Sequence, residues 1–150
     1  VERQPLLVSF NGKQFDGPLM AAVLSALHDE TWLGEGLFTA WVLLWERSYD
    51  ILTEIWAVDE GRRFEHSLNS LDVISQANGY GAKEMEGAKA PRLWAQGHHA
   101  EVTNYCMSDV WKTCKLFEQI VDTGEILRGD GQPIRLPSPF SKEKASCHAE

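Results

Sequence analysis

The sequence predicts an α/β domain with few strands and mainly helices. Three observations predict it. An apolar run, Leu6-Leu7-Val8 to Phe10, is bounded by Pro5 and by Asn11-Gly12, the mark of a buried strand. A helix-like apolar run follows it at once, and a strand feeding a helix is half of a parallel crossover unit. The rest of the chain reads as further helical segments and one small hairpin.

The elements follow in order. Residues 5–10 read as the strand. Residues 17–29 read as a helix, because Pro18 suits a first turn and Leu19, Met20, Val23, Leu24 and Leu27 recur at helical spacing. Asp16 is placed to cap it. Residues 30–49 are ambiguous, since Gly34 and Gly36 interrupt a Trp-rich run. Apolar residues at 51, 52, 55 and 56 predict a helix to Val58, and a polar connector follows over 59–69. "SLDVISQANG" predicts a short helix with Ser70 as cap and Asn78-Gly79 as stop. Pro91 opens another, holding Leu93 and Trp94. The longest helix is predicted from His99 to Asp122, with Val102, Cys106, Val110, Thr113, Phe117 and Ile120 as its apolar stripe. Residues 126–136 read as a hairpin turning at Gly129-Asp130-Gly131.

At 150 residues the chain fits one domain, assigned to 1–140, with 141–150 as a frayed tail. A formal charge of -8 excludes a general nucleic-acid coat protein, which would be basic. It leaves room for an enzyme that grips a strand end through bound cations. Cys106, Cys114 and Cys147 are odd in number and form no C-x-x-C, so neither a disulfide framework nor a zinc knuckle is supported. On one helix Cys106 and Cys114 lie ~12 Å apart along the axis, too far to bridge. A reducing, cytoplasmic setting is the default. No segment reaches the ~18 apolar residues of a membrane span.

Tyr105 and Asp109 stand at i and i+4 of the long helix, at the edge of its stripe, where a phenol and a carboxylate can face a cleft. Taken singly, Asp109 also reads as a solvated helix residue and Asp16 as an ordinary cap. His98-His99 point ~100° apart on a helix and read as helix-end polar residues rather than a metal pair. "GYGAKEMEG" lacks the spacing of a phosphate-binding P-loop.

Taken together, "FNGKQFDGP" and, about 90 residues on, "YCMSDVWKTCKLF" resemble the second and third motifs of the DEDD-type 3'-5' exonucleases. The likeness is to the tyrosine subgroup, ribonuclease-H-like nucleases related to polymerase proofreading domains. "SYDILTEI", "SLDVISQANGYGAKEMEG" and "LWAQGHHAEVTNYC" are similar to that subgroup's connecting segments. The resemblance spans residues 5–121. It implies a ribonuclease-H-like fold and hydrolysis of phosphodiester bonds at the 3' end of single-stranded DNA or RNA. It also implies Mg²⁺ or Mn²⁺ in a two-metal site, the ions ~3.5–4 Å apart. Hard cations of this kind take carboxylate oxygens, and Asp16 is held between two rigid elements as such a ligand requires.

By this resemblance Asp109 is a direct metal ligand, Asp16 serves the second ion through water, and Tyr105 orients the attacking water. Asn11 and Phe15 touch the terminal nucleotide, although Phe15 reads equally as a core residue. Lys83 either contacts phosphate or stays a solvated loop lysine. The family's first motif, Asp-x-Glu, does not occur ahead of Asp16, and the sheet's first three strands have no counterpart. The expectation is therefore an N-terminally incomplete domain that binds metal poorly and cleaves slowly or not at all. A partner domain or missing N-terminal segment would complete it. The alternative is a catalytically inactive module that binds nucleic acid or protein.

Overall fold

The computed structural model describes residues 6–28, 32–82 and 85–140, without the side chains of 27–28 and 32–37. Lys83, the start of the expected first strand and the expected 141–150 tail lie outside the described residues. The chain divides into two units, Val1–Ala57 and Val58–Glu150.

The first unit runs β1 (Val8–Ser9), α1 (Asp16–His28), α2 (Trp32–Glu46), β2 (Tyr49–Asp50) and most of α3 (Ile51–Val58). β1 and β2 pair in parallel, Val8 with Tyr49 and Ser9 with Asp50. The Tyr49 amide also donates to the Leu7 carbonyl at 2.8 Å. Two parallel strands joined through a helical pair complete the crossover that the strand-to-helix handover foretells. The strand is shorter than expected because its partner has only two residues, and the chain turns at Asn11.

The ambiguous stretch resolves into α2 and β2. Gly34 and Gly36 are carried inside α2 despite their poor helix propensity. The buried apolar side chains here are Leu24, Tyr49, Ile51, Leu52 and Ile55. Ile51 and Ile55, four apart on α3, are almost wholly buried, and each contributes ~1.5–3 kcal/mol on removal from water.

The second unit contains the 3-10 turn Glu60–Arg62, α4 (His66–Asn69), α5 (Leu71–Ala77), a second 3-10 turn (Gly87–Lys89), α6 (Ala90–Ala95), α7 (His99–Thr123), β3 (Glu125–Leu127) and β4 (Pro133–Arg135). Ser70 caps α5 as expected, its hydroxyl accepting from the Val73 amide at 3.4 Å. Asn78 ends that helix and then does more. Its Nδ2 donates to the Ile74 and Leu127 carbonyls, and its Oδ1 accepts from the Leu127 amide and Gln119 Nε2. One side chain thereby ties α5, α7 and β3 together.

The hairpin forms as expected, Ile126 facing Ile134 in an antiparallel pair. Arg128 fixes it, its buried guanidinium paired with Asp59 and Asp130. The core of this unit comprises Ile74, Val102, Leu116, Ile120, Ile126, Ile134 and Leu136.

The stripe of α7 differs from expectation. Val110 is 54% exposed and Cys106 is exposed, whereas Lys112 and Leu116 are buried. The inward line therefore runs Val102, Tyr105, Asp109, Lys112, Leu116, Ile120. Leu116 goes fully inside, with Thr113 and Phe117 at the flanks. Trp94 and Trp111 are about half exposed, not core. Among the described residues no helix is long and apolar enough to cross a membrane.

Candidate active site

In the first unit, Asn11 to Gly17 form a tight turn into α1. Asn11 adopts φ 66°, a left-handed conformation that asparagine tolerates better than most residues. Its carbonyl accepts from the amides of Gln14 and Phe15, and the Gly12 carbonyl accepts from the Gly17 amide at 2.8 Å. Asp16 is the first helical residue rather than the cap before it. Its carboxylate is exposed. Phe15 is 65% exposed, so the core reading of that ring is excluded.

Two residues that sequence reasoning missed hold this turn. Asp50 is fully buried at the end of β2. It accepts from Ser9 Oγ at 2.8 Å, the Lys13 amide at 3.0 Å and the Thr53 amide at 2.9 Å. Burial alone would raise its pKa, but these hydrogen bonds outweigh it and hold the carboxyl below its ordinary value. The signal available in the sequence was an aspartate three residues before Thr53 at a helix start, the pattern of an N-cap.

The second is Trp45, which lies over Gly12 and Gly17. A Cβ at Gly17 would come within 2.2 Å of Trp45 Cζ2, and one at Gly12 within 3.1 Å of Cη2. The indole excludes a side chain at Gly17, and at Gly12 the Ser9 side chain, 2.6 Å from such a Cβ, excludes one first. Asp16, between these supports, has its pKa raised, first by partial desolvation and then by the negative charge of Asp50.

In the second unit, Tyr105 and Asp109 stand one turn apart on α7, both half-buried. The Tyr105 pKa is pushed up to about 12 by burial and by the negative charges of Asp109 and Asp72. A Cβ at Gly87 would lie 3.2 Å from the Tyr105 hydroxyl, so the loop before α6 approaches closely. Lys112 Nζ lies 3.9 Å from Asp109 Oδ1, with the lysine side chain 3% exposed and the aspartate 33%. His98 and His99 serve the helix end as expected: His98 faces Glu101 at 3.7 Å, and His99 Nε2 bonds the Trp94 carbonyl at 3.1 Å.

The sequence-derived set thus assembles as two groups. Asn11, Phe15 and Asp16 share the turn of the first unit, and Tyr105 and Asp109 form a pair one turn apart in the second. Asp16 and Asp109 offer hard oxygen donors of the kind Mg²⁺ or Mn²⁺ takes. Among the described residues no group of three or more His, Cys, Asp or Glu side chains is gathered to hold a metal ion. The donor chemistry fits such an ion, while the donor number is short of a complete site.

A protein-family model matches residues 1–129, and that family is described as a predicted 3'-5' exonuclease related to the exonuclease domain of PolB. No curated protein and no solved structure matches the chain. The matched span takes in the Asn11–Gly17 turn, Asp50, and the Tyr105–Asp109 pair. The chain therefore belongs to this family of predicted 3'-5' exonucleases.

Proposed function

We propose that the protein is a metal-dependent 3'-5' exonuclease of the DEDD type, with a ribonuclease-H-like fold. The observation that carries this reading is the placement of Tyr105 and Asp109, half-buried and one turn apart on the inward line of α7, within the span that the exonuclease family matches. One helix would thereby supply both a ligand and a water-orienting hydroxyl. The substrate is the 3' end of single-stranded DNA or RNA, met by Asn11 and the exposed ring of Phe15. Lys83 contacts phosphate in the same reading.

Mg²⁺ or Mn²⁺, once bound, would activate the attacking water and stabilise the leaving oxygen. Asp109 would hold an ion directly and Asp16 would hold one through water. Two further carboxylates, of the family's Asp-x-Glu motif, would complete the set. The exposed thiols of Cys106 and Cys114 suit a reducing, cytoplasmic setting.

A second reading is a catalytically inactive module that binds nucleic acid or protein. One observation favours it: the buried Lys112 ammonium stands beside Asp109, where it competes with a bound cation.

The two readings separate in one experiment. The protein, extended by its upstream coding sequence, is incubated with a 3'-labelled single strand and Mg²⁺ or Mn²⁺. The nuclease reading expects stepwise shortening that EDTA stops and Asp109→Ala abolishes without unfolding. Equal cleavage by Asp109→Ala would overturn it. Binding without cleavage by the extended protein would establish the module instead.

A further inference from the structure

The first unit carries a groove of about 270 Å³ whose walls include Lys13, Gly17, Pro18, Trp41, Trp45 and Glu46. A groove of this volume has room for one planar heterocycle. Trp41 and Trp45, one helical turn apart on α2, stack with ring centroids 5.1 Å apart and planes at 21°. Both are only partly buried. Trp45 is seated on Gly12 and Gly17, so the pair is held in place before any ligand arrives, and little side-chain entropy is left to lose on binding.

The groove is continuous with the Asn11–Gly17 turn, because Lys13 and Gly17 belong to both. Lys13 is fixed at its backbone by Asp50, its amide donating to that carboxylate at 3.0 Å. Its ammonium supplies a cation for a phosphate. Glu46 supplies an acceptor for a ring N–H or an exocyclic amine. Two indoles, one cation and one acceptor beside a carboxylate-bearing turn are the chemistry of a base-stacking platform. Every base has a π-face, so such a platform grips a strand end whatever its sequence.

We propose that the Trp41–Trp45 groove is a subsite for a base at the 3' end of a single strand. This rests on the nuclease reading above, since that reading brings a strand end to Asp16. The Trp-rich run of α2 thereby acquires a role in substrate grip. Binding through it is sequence-tolerant and needs no metal.

The test uses the full chain and a fluorescein-labelled single-stranded oligonucleotide, by anisotropy, in EDTA. A second oligonucleotide carries an abasic residue at its 3' end. Trp41→Ala is the variant, Trp41→Phe the conservative control, and Trp94→Ala the control for an exposed indole outside the groove. Circular dichroism checks each fold.

Trp41→Ala is expected to weaken binding of the intact strand about tenfold, the scale of one lost base–aromatic stack. Trp41→Phe should restore most of it and Trp94→Ala should match the parent. The parent should lose about the same factor on the abasic strand, while Trp41→Ala binds both strands alike. If Trp41→Ala retains the parent's preference for the intact strand, the platform is wrong and the nuclease reading stands. Equal losses on both strands also overturn the platform, since they indicate a structural effect. A parent that binds neither strand in EDTA overturns the platform, while the nuclease reading is decided by the cleavage assay with metal.

Discussion

Asp50 and Ser9 are paired across the two strands of the first unit, Ser9 Oγ donating to the buried carboxylate at 2.8 Å. The same carboxylate takes the Lys13 and Thr53 amides. It therefore clamps β1, starts α3 and sets the position of the turn that presents Asp16. Asp50→Ala is expected to cost ~2–4 kcal/mol, because it leaves buried donors without a partner. Urea unfolding followed by circular dichroism measures it. A loss under 1 kcal/mol would mean water replaces the carboxylate readily and the clamp is weaker than drawn.

The pH dependence of this clamp has a definite sign. The folded state holds the Asp50 pKa below its ordinary value. Its contribution is therefore present above the unfolded pKa of about 3.9 and is lost as pH falls through the folded value. Asp50→Asn should remove that part of the acid sensitivity. Parent and variant should draw closer in stability as the solution is taken below about pH 4.

Trp45 and Gly17 form a second coupled pair. Gly17→Ala places a Cβ where Trp45 Cζ2 now is and is expected to destabilise by ~1–3 kcal/mol, the usual scale of overpacking. Trp45→Leu should lower the cost of the glycine change, because the ring that clashes is gone. A double-mutant cycle by urea unfolding reads this coupling. Strictly additive effects would show that the two positions do not meet.

Much of the scaffold was legible because local signals were unopposed. Ser70 capped α5, Asn78-Gly79 ended it, and the hairpin turned at Gly129-Asp130-Gly131 as the letters suggest. β2 was not legible, because two residues carry no period and its pairing with β1 is a long-range contact. Gly34 and Gly36 suggested a break, but a continuous helix carries both. The stripe of α7 was misread over its middle because Val110 and Leu116 have similar hydropathy, and only packing decides which goes inside. For the site, Tyr105 and Asp109 could be placed on one face by spacing alone. Asp50 and Trp45 could not, since their partners at Ser9, Lys13, Gly12 and Gly17 are distant in sequence.

Asp16 shows the reverse sign to Asp50. Folding raises its pKa, through desolvation and the nearby Asp50 charge, so the fold prefers its protonated form. The stability it contributes is present below the unfolded pKa and lost as pH rises through the folded value. At pH 7 the ionised group therefore opposes folding slightly. Asp16→Asn should be as stable as the parent or more so, by up to ~0.5 kcal/mol for so exposed a side chain. The same variant should lose cleavage activity in the proposed nuclease. Thermal melts at pH 7 with a cleavage assay on the extended protein check both. A large destabilisation would show that Asp16 is structural.

Tyr105 permits a spectroscopic prediction. Its hydroxyl, pushed up to about 12 by burial, Asp109 and Asp72, stays protonated across the neutral range and can donate throughout it. Absorbance titration of the phenolates should show a late component near pH 12 that Tyr105→Phe weakens. The raised value also means that stability falls as pH climbs from the unfolded tyrosine pKa of about 10 toward the folded one. Tyr105→Phe should flatten that decline. In the extended protein it should slow cleavage without moving the acid limb of the pH–rate profile, since the phenol does not titrate there. An acid limb that shifts with Tyr105→Phe would mean that the phenol tunes the pKa of the carboxylate beside it rather than orienting water.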